Sequence, residues 1–120
     1  MPMVSVRTDV SPSGEGKSRL LAGLSSAVAE ELGKPVDYVM VELQGAEMLM
    51  SGRPGPTAAV DVRSIGGLNR EVNARLAQRI GELLQSHLGV RPERAYIVFT
   101  DVDGADWGWK GRTERPGPSR

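Results

Sequence analysis

The chain contains an internal repeat, and this repeat limits the possible folds more than any other feature of the sequence. Residues 4–8 read VSVRT and residues 60–64 read VDVRS, an offset of about 56 positions. Both segments alternate apolar and polar residues, which is the period of a half-buried β-strand. Because segments repeated at a fixed spacing fold into similar units, the two halves of the chain are expected to share one local structure.

An amphipathic helix is predicted after each of these strands. Each helix ends in a Leu-Gly pair, at Gly33 and at Gly89, and a proline follows within three residues. Glycine supplies a left-handed cap and proline prevents continuation of the helix. At the start of the first helix, Ser11 is interpreted as the N-cap and Pro12 as part of the first turn. The apolar stripes of the two helices are formed by Leu20, Leu24, Val28 and Leu32, and by Val72, Leu76, Ile80, Leu83, Leu84 and Leu88.

A second strand is predicted after each helix, at residues 38–43 and 95–100. Each half of the chain therefore reads β-α-β. Two such units that share one sheet give an α+β fold, with a four-stranded sheet and both helices on one face. The first strand, which begins next to Pro2, is expected to enter at an edge of the sheet.

The repeat also defines the domain organisation. A single domain is predicted at 1–110, with repeat halves at about 2–45 and 57–101. The stretch between the halves contains SGRPGP, which has the composition of a turn rather than of a linker. Residues 111–120 are polar and rich in Gly and Pro, so a flexible tail is expected there.

The sheet face opposite the helices is predicted to be open. Depending on strand register, this face carries Met40 and Tyr38, or Tyr96 and Val98. An exposed apolar face of this kind is typical of a surface that binds another protein. A chain of 120 residues buries a limited share of its surface alone, which also favours oligomerisation.

Composition excludes several classes of function. The chain has 15 Lys and Arg against 15 Asp and Glu, so it lacks the basic footprint of a nucleic-acid or membrane-surface protein. It has no cysteine and one histidine, which excludes thiolate nucleophiles and multi-histidine metal sites. No segment approaches the roughly 18 apolar residues of a membrane helix, and MPMVSVRTDV is not a secretory signal. We expect a cytoplasmic protein with no metal, cofactor, nucleic-acid partner or membrane.

Two glycine-containing segments resemble phosphate-binding motifs. SPSGEGKS, at 11–18, lies between a strand and a helix as a P-loop does, but the P-loop pattern requires glycine at position 11, where this chain has serine. SIGG, at 64–67, is interpreted as a tight turn rather than as an anion site at the start of the second helix. Neither segment is therefore predicted to bind phosphate.

Three further residues have two possible roles each. Trp107 and Trp109 flank a glycine after the last strand. They either cap the core or form the wall of a pocket for a planar ligand. Lys34 lies between the helix-ending glycine and a proline, so it is either a cation favoured by the helix dipole or an anchor for a carboxylate.

The chain resembles the macrophage migration inhibitory factor family of the tautomerase superfamily. The similarity runs from residue 2 to about residue 110, and it rests on the order and spacing of several short segments. These are MPMVSV, Gly33-Lys34-Pro35 followed by Tyr38, Ser64-Ile65-Gly66, Asn69-Arg70, residues 92–97 (PERAYI) and Gly108-Trp109.

The resemblance implies an assembly and an activity. The assembly is a homotrimer in which three sheets form a central barrel, with the helices outside and an active site at each subunit interface. The activity is cofactor-free keto–enol tautomerisation of phenylpyruvate-like aryl α-keto acids. Pro2 is the implied general base and acid after removal of Met1, which leaves a free secondary amine.

The resemblance also implies a set of substrate-binding residues. Lys34 and the backbone around Ile65 hold the carboxylate and carbonyl side of the substrate, and Tyr96 reaches the site from a neighbouring subunit. The full set is Lys34, Tyr38, Ser64, Ile65, Tyr96, Val98 and Trp109, with Tyr38 and Trp109 as aromatic walls.

A base that works near neutral pH must be unprotonated. An ordinary α-amino group has a pKa of about 7.7–8.0, and a proline amine is more basic. Burial in an apolar pocket disfavours the ammonium form and lowers the pKa. The positive charge of Lys34 would act in the same direction, and it would stabilise a developing enolate.

Two departures from the family pattern leave alternatives open. Val98 stands where vertebrate relatives have Asn, so one polar contact to the substrate is missing, and residues 57–60 (TAAV) replace a Cys-x-x-Cys. One alternative is a cytokine-like protein-binding trimer with weak or vestigial tautomerase activity. Another is hydration, dehalogenation or decarboxylation, for which Arg7 and Arg63, at matching positions of the repeat, are the candidate residues.

Overall fold

The repeat is present in the fold of the protein. The structure is a computed structural model that describes residues 1–114. In chain order the main elements are β1 (Pro2–Thr8), α1 (Gly14–Leu32), β2 (Met40–Gly45), β3 (Ala58–Ser64), α2 (Arg70–Leu88) and β4 (Ala95–Asp101), followed by β5 (Gly108–Trp109) and β6 (Arg112–Thr113). Short 3₁₀ turns lie at Val36–Tyr38, Pro92–Arg94 and Gly104–Asp106. The starts of β3 and α2 follow those of β1 and α1 at the same spacing, so both β-α-β units are confirmed.

The four long strands form one sheet in the order β2-β1-β3-β4. Each outer strand pairs in parallel with the strand from its own half, and β1 and β3 pair antiparallel at the centre. The prediction that the first strand enters at an edge is wrong, because the second half of the repeat adds its strands on the free side of β1. Pro2 is compatible with this interior position because it is the first residue of the strand.

Both helices cover one face of the sheet, as predicted. The helix-facing residues of β1 and β3, such as Val4, Val6, Val60 and Val62, are almost fully buried. They pack with the apolar stripes of both helices in one continuous core. Burying an apolar side chain of this size stabilises the fold by about 1.5–3 kcal/mol, so this layer is the main source of stability for the α+β fold.

Both helices end at the predicted glycines, but the N-cap of α1 is not the predicted residue. Gly33 and Gly89 adopt the left-handed conformation, with φ of 64° and 67°. The N-cap of α1 is Ser13, whose Oγ accepts a hydrogen bond from the Gly16 amide at 3.1 Å. The assignment of Ser11 as the cap is wrong, because a cap serves an amide two or three residues further on and the helix begins only at Gly14. Pro12 accordingly precedes the helix.

Two segment boundaries also differ from the sequence predictions. The strand predicted at 38–43 begins at Met40, because Tyr38 belongs to a 3₁₀ turn. A flexible tail was predicted at 111–120, but Arg112–Thr113 pair with Gly108–Trp109 in a hairpin, so the first residues of this segment are ordered. The remainder of that predicted tail, 115–120, lies outside the described residues.

The sheet face opposite the helices carries large exposed apolar side chains. Strand register places Met40, Tyr96 and Val98 on this face, with 62%, 67% and 54% of their surface exposed. It also carries an ion pair between Arg7 and Asp61 at 3.2 Å. The face predicted from the sequence is therefore present, although Tyr38 lies outside the sheet. None of the helices within residues 1–114 is long and apolar enough to cross a membrane.

Candidate functional site

A cavity of about 460 Å³ opens at the end of the sheet where β1 begins. Four parts of the chain meet there: the N-terminus, the 3₁₀ turn before β2, the end of β3, and the segment from the end of β4 to the hairpin. The lining residues are Met1, Pro2, Met3, Asp37, Tyr38, Val39, Met40, Arg63, Val102, Asp106, Trp107, Gly108 and Trp109. Most of these side chains are apolar or aromatic, as in a site for a small organic ligand.

Pro2 lies in this cavity as the buried first residue of β1, paired with Ser64 of β3. In the described chain Met1 precedes it and carries the terminal amine. Burial lowers the pKa of the Met1 amine, and the positive charge of Lys34 lowers it further, while Glu114 acts in the opposite direction. An amine at this end of the chain is therefore shifted toward its neutral form.

Lys34 is positioned by the end of α1. The left-handed cap at Gly33 turns the chain away from the helix axis. The Lys34 ammonium then reaches the end of β3, where its Nζ donates a hydrogen bond to the Ile65 carbonyl at 3.0 Å. The ammonium is thus held close to the N-terminus by the backbone of the other repeat half.

The Ser64–Gly67 segment is a tight turn, as predicted. Gly66 and Gly67 have φ of 72° and 84°, values that favour glycine. Ser64 Oγ donates to the Gly66 carbonyl at 2.8 Å, and the Gly66 amide donates to Asp101 Oδ1 at 3.2 Å. This turn therefore orients Lys34 through the Ile65 carbonyl, while its Gly66 amide is already engaged within the chain.

Aromatic residues form one wall of the cavity. The rings of Tyr38 and Trp109 meet edge to face, with centroids 5.6 Å apart and an interplanar angle of 85°. Trp107 lines the same cavity, and Lys110 Nζ lies 4.4 Å from the centre of the Trp109 ring. Of the two roles considered for the tryptophans, the structure favours the pocket wall. The wall exists because the β5–β6 hairpin folds back over the 3₁₀ turn that holds Tyr38.

Five of the predicted site residues are not among those that line this cavity: Lys34, Ser64 and Ile65, which lie at the same end of the sheet, and Tyr96 and Val98, which lie farther along β4. Pro2 pairs with Ser64, which pairs with Asp101 on β4, whereas Tyr96 pairs with Ala59. Five residues of strand separate Tyr96 from the cavity end, a distance of about 16 Å at ~3.3 Å per residue. A single chain does not bring Tyr96 or Val98 to Pro2.

Several lining residues were not identified from the sequence. Asp37 and Val39 flank Tyr38, and Asp106 precedes Trp107, so each adjoins a residue already singled out. The repeat itself could have identified Val102. Its amide bonds the Ser64 carbonyl at 2.9 Å, as the Ala46 amide bonds the Thr8 carbonyl at 2.9 Å in the first half.

The described residues show no grouping suited to a metal ion. Within 1–114, no set of three or more His, Asp or Glu side chains converges. The charged side chains that line the cavity are Arg63, Asp37 and Asp106, and the Lys34 ammonium lies near the N-terminus at the same end of the sheet. The chemistry open to this arrangement is proton transfer by an amine, with cations available to hold an anionic ligand.

Comparisons with known proteins agree with the fold. The family model described as "Macrophage migration inhibitory factor (MIF)" matches residues 1–114. A macrophage migration inhibitory factor homolog from Brugia malayi is 32% identical over 114 residues, covering 94% of this chain and 98% of that protein. The crystal structure of the homologue from Prochlorococcus marinus is 37% identical with a TM-score of 0.89, covering 94% of this chain and 99% of that chain.

A further solved structure is described as a "Q0 fused 4-OT wild type symmetric trimer". It is 25% identical with a TM-score of 0.84, covering 93% of this chain and 95% of that chain. The family model spans every described residue and the relatives align over almost their whole length. The chain therefore belongs to the macrophage migration inhibitory factor family of the tautomerase superfamily.

Proposed function

We propose that this protein is a cofactor-free tautomerase that interconverts the keto and enol forms of phenylpyruvate-like aryl α-keto acids. Pro2, freed by removal of Met1, is the general base and acid. The observation that carries the proposal is the position of Pro2, which is buried in an aromatic-walled cavity at the end of the sheet that Lys34 also reaches. In the chain that retains Met1, burial and the Lys34 charge lower the pKa of the terminal amine, and the same two causes would act on a Pro2 amine at this place.

The first step is removal of a proton from carbon. The neutral Pro2 amine takes a proton from the carbon next to the carbonyl, the C–H electron pair forms the enolate double bond, and the carbonyl oxygen becomes negative. A base is most useful when its pKa lies near the working pH, because it must be unprotonated before the step and able to return the proton afterwards. The lowered pKa at this end of the chain supports that role.

The second step is stabilisation and protonation of the enolate. Lys34 is held by the Ile65 carbonyl, so its position is fixed before substrate arrives. A fixed cation stabilises negative charge that develops in the transition state, at little cost in reorganisation. The Pro2 ammonium then gives its proton to the enolate oxygen, so the reaction breaks a C–H bond, forms an O–H bond and transfers no net electrons.

We propose that the working form is a homotrimer whose three sheets form a barrel. Tyr96 and Val98 project from the open face of an edge strand, far from Pro2 of the same chain. If a neighbouring subunit packs against this face, Tyr96 and Val98 of one subunit can reach the cavity of the next, and the contact covers Met40. The related structure described as a symmetric trimer supports this assembly. Val98 adds only apolar surface at this point, which favours a substrate ring with no polar group there.

The test combines a tautomerase assay with intact-mass analysis. We expect ketonisation of enol-phenylpyruvate to be catalysed by protein that lacks Met1, with sedimentation at the mass of a trimer. A recombinant form that retains Met1 is the matched control, because it differs only in blocking the proline nitrogen. Equal activity of the two forms would overturn the role of Pro2.

A protein-binding trimer is the second candidate function. Its supporting observation is Val98, since this residue removes a polar substrate contact that the resemblance would otherwise place in the site. Weak turnover of phenylpyruvate by the Met1-free trimer, together with a partner interaction that survives Pro2→Gly, would favour this function over catalysis.

A further inference from the structure

Arg63 is a charged residue in the cavity to which the proposed mechanism gives no role. It lies on β3 and lines the cavity next to Met3, with which it pairs across the strands. Within residues 1–114, no ion pair or hydrogen bond engages its guanidinium. An arginine next to a ligand cavity with no carboxylate partner in the described chain has five donors available for a ligand.

The repeat provides an internal control for this observation. Arg7 occupies the matching position on β1, and its guanidinium pairs with Asp61 at 3.2 Å. Its charge is therefore already matched within the sheet. Arg63 lies at the opposite end of the same face, and two carboxylates that line the cavity, Asp37 and Asp106, form no ion pair with it. Within residues 1–114, only Arg7 of the two equivalent arginines has an ion-pair partner, so Arg63 retains its donors for an incoming group.

Arg63 and Lys34 approach the cavity from different layers of the fold. Lys34 follows α1, in the helix layer, whereas the register places Arg63 on the opposite face of the sheet. Pro2 begins the strand between these two layers. A substrate bound at Pro2 with its carboxylate at Lys34 would therefore extend toward the open face and meet Arg63 at its other end.

We propose that Arg63 makes the site selective for aryl α-keto acids that carry a second anionic group on the ring. This inference rests on the proposed function and specifies its substrate class. Guanidinium binds a carboxylate through two parallel hydrogen bonds, a geometry that a neutral ring substituent does not match. The second acidic group fixes the far end of the substrate, and Tyr38 and Trp109 contact the ring between the two anions.

The test compares phenylpyruvate with 4-carboxyphenylpyruvate, which differ only in the second carboxylate. For the wild-type trimer we expect kcat/KM to be about tenfold higher for the dianion, the ratio expected of one charge-assisted contact. Arg63→Gln should bring this ratio to about one. Arg7→Gln, the matched control, should leave the ratio unchanged, since that arginine lies outside the cavity.

Other outcomes would overturn the inference. A wild-type enzyme that turns over phenylpyruvate without preferring the dianion contradicts the role of Arg63 alone, while absence of turnover for both substrates contradicts the proposed function itself. Dissociation of the Arg63→Gln trimer in sedimentation, together with a wild-type ratio for Arg63→Lys, would assign the arginine to the subunit interface instead. Arg63→Lys retains the charge without the bidentate geometry, and an intermediate ratio for this variant supports the proposal whether or not Arg63→Gln assembles.

Discussion

The two ends of the central strand pair have equivalent backbones but different surroundings. At one end Pro2 begins β1 beside a cavity, and at the other end Ala58 begins β3 under a closed loop. The residue that matches Lys34 in the second half of the repeat is Val90, which is fully buried. The repeat thus produces two similar sheet ends, and the residues that differ between the two halves decide which end has a cavity.

Arg94 explains why the second end is closed. It occupies the repeat position of Tyr38, and its guanidinium holds the connection between the two halves of the chain. The guanidinium donates hydrogen bonds to the carbonyls of Pro56, Met50 and Arg53 at 3.0, 3.3 and 2.9 Å. It also donates to Thr57 Oγ1 at 2.8 Å. Thr8 Oγ1 also donates to the Thr57 carbonyl at 2.7 Å. The chain that precedes Ala58 thus covers the end of β3.

The largest expected effect comes from replacing Pro2, the proposed acid–base residue at the open end. Pro2→Gly should lower kcat/KM for phenylpyruvate by about 10²–10⁴-fold, the usual contribution of a positioned acid–base group. Steady-state ketonisation assays measure this loss. Ala58→Gly is the matched control at the closed end: it should retain activity while the free energy of unfolding falls by about 0.5–1 kcal/mol. Similar activity losses in the two variants would remove the distinction between the ends.

The second prediction concerns Arg94, which holds the loop that covers the start of β3. Arg94→Ala should lower the free energy of unfolding by about 2 kcal/mol, because several backbone carbonyls lose a charged donor. Urea denaturation at a fixed protein concentration measures this change, and activity of the folded protein should persist. Arg91→Ala is the control, since Arg91 and Glu93 form an exposed ion pair at 2.8 Å and such pairs contribute less than about 1 kcal/mol. Equal destabilisation by both variants would contradict the role assigned to Arg94.

The third prediction tests the proposed roles of Lys34 in binding the substrate and in lowering the pKa of the amine. Lys34→Ala should raise KM for phenylpyruvate about tenfold, through loss of a charge-assisted contact. The Lys34 charge lowers the pKa of the Met1 amine, and the same charge should lower the pKa of a Pro2 amine exposed by removal of Met1. Loss of Lys34 should therefore raise the pKa of the Pro2 amine, and the acidic limb of the kcat/KM profile should move to higher pH. Lys17→Ala, on the exposed side of α1, is the control and should change neither quantity. An acidic limb that stays in place would show that Lys34 does not tune the amine.

The smallest expected effect concerns the contact between the two halves. Hydrogen bonds from Arg75 and Arg79 lower the pKa of Glu31. A carboxyl group whose pKa is lowered in the folded state stabilises the fold above its unfolded pKa, and this stabilisation is lost as pH falls through the folded pKa. Glu31→Gln should therefore unfold more easily than wild type near neutral pH.

The difference between Glu31→Gln and wild type should disappear in acid, well below the ordinary Glu pKa of about 4.3. Thermal denaturation at the two pH values measures it. Glu30→Gln, which loses one exposed contact to Arg79 at 3.3 Å, should show a smaller difference at neutral pH. A constant difference across pH would exclude ionic stabilisation by Glu31.

Much of the fold could be predicted because its signals are local. Gly33 and Gly89 end the helices through a left-handed conformation that glycine adopts easily, and the alternation in β1 and β3 reports one buried face. The N-cap at Ser13 was missed because Ser11 is an equally good capping residue by type, and only the first turn of α1 decides between them. The interior position of β1 was missed because strand order depends on how the two units pair, which periodicity does not encode.

The candidate site could be predicted in part. The resemblance indicated Pro2, Lys34, Tyr38 and Trp109, which the structure brings to one end of the sheet. It did not indicate that Arg63 lines the cavity with no ion-pair partner among the described residues while Arg7 is paired. That difference depends on Asp61, which lies within reach of one arginine and not of the other.

The sequence by itself determined the two β-α-β units and the single helix-covered face, and it places a proline at position 2, since each follows from residue type and spacing along the chain. Only the tertiary structure decided which end of the sheet is open and which of the two matching arginines has no ion-pair partner within residues 1–114. The physical reason is that these properties depend on contacts between residues far apart in the chain, such as Lys34 with Ile65 and Arg94 with Thr57, and the repeat places both ends on equal terms until those contacts form.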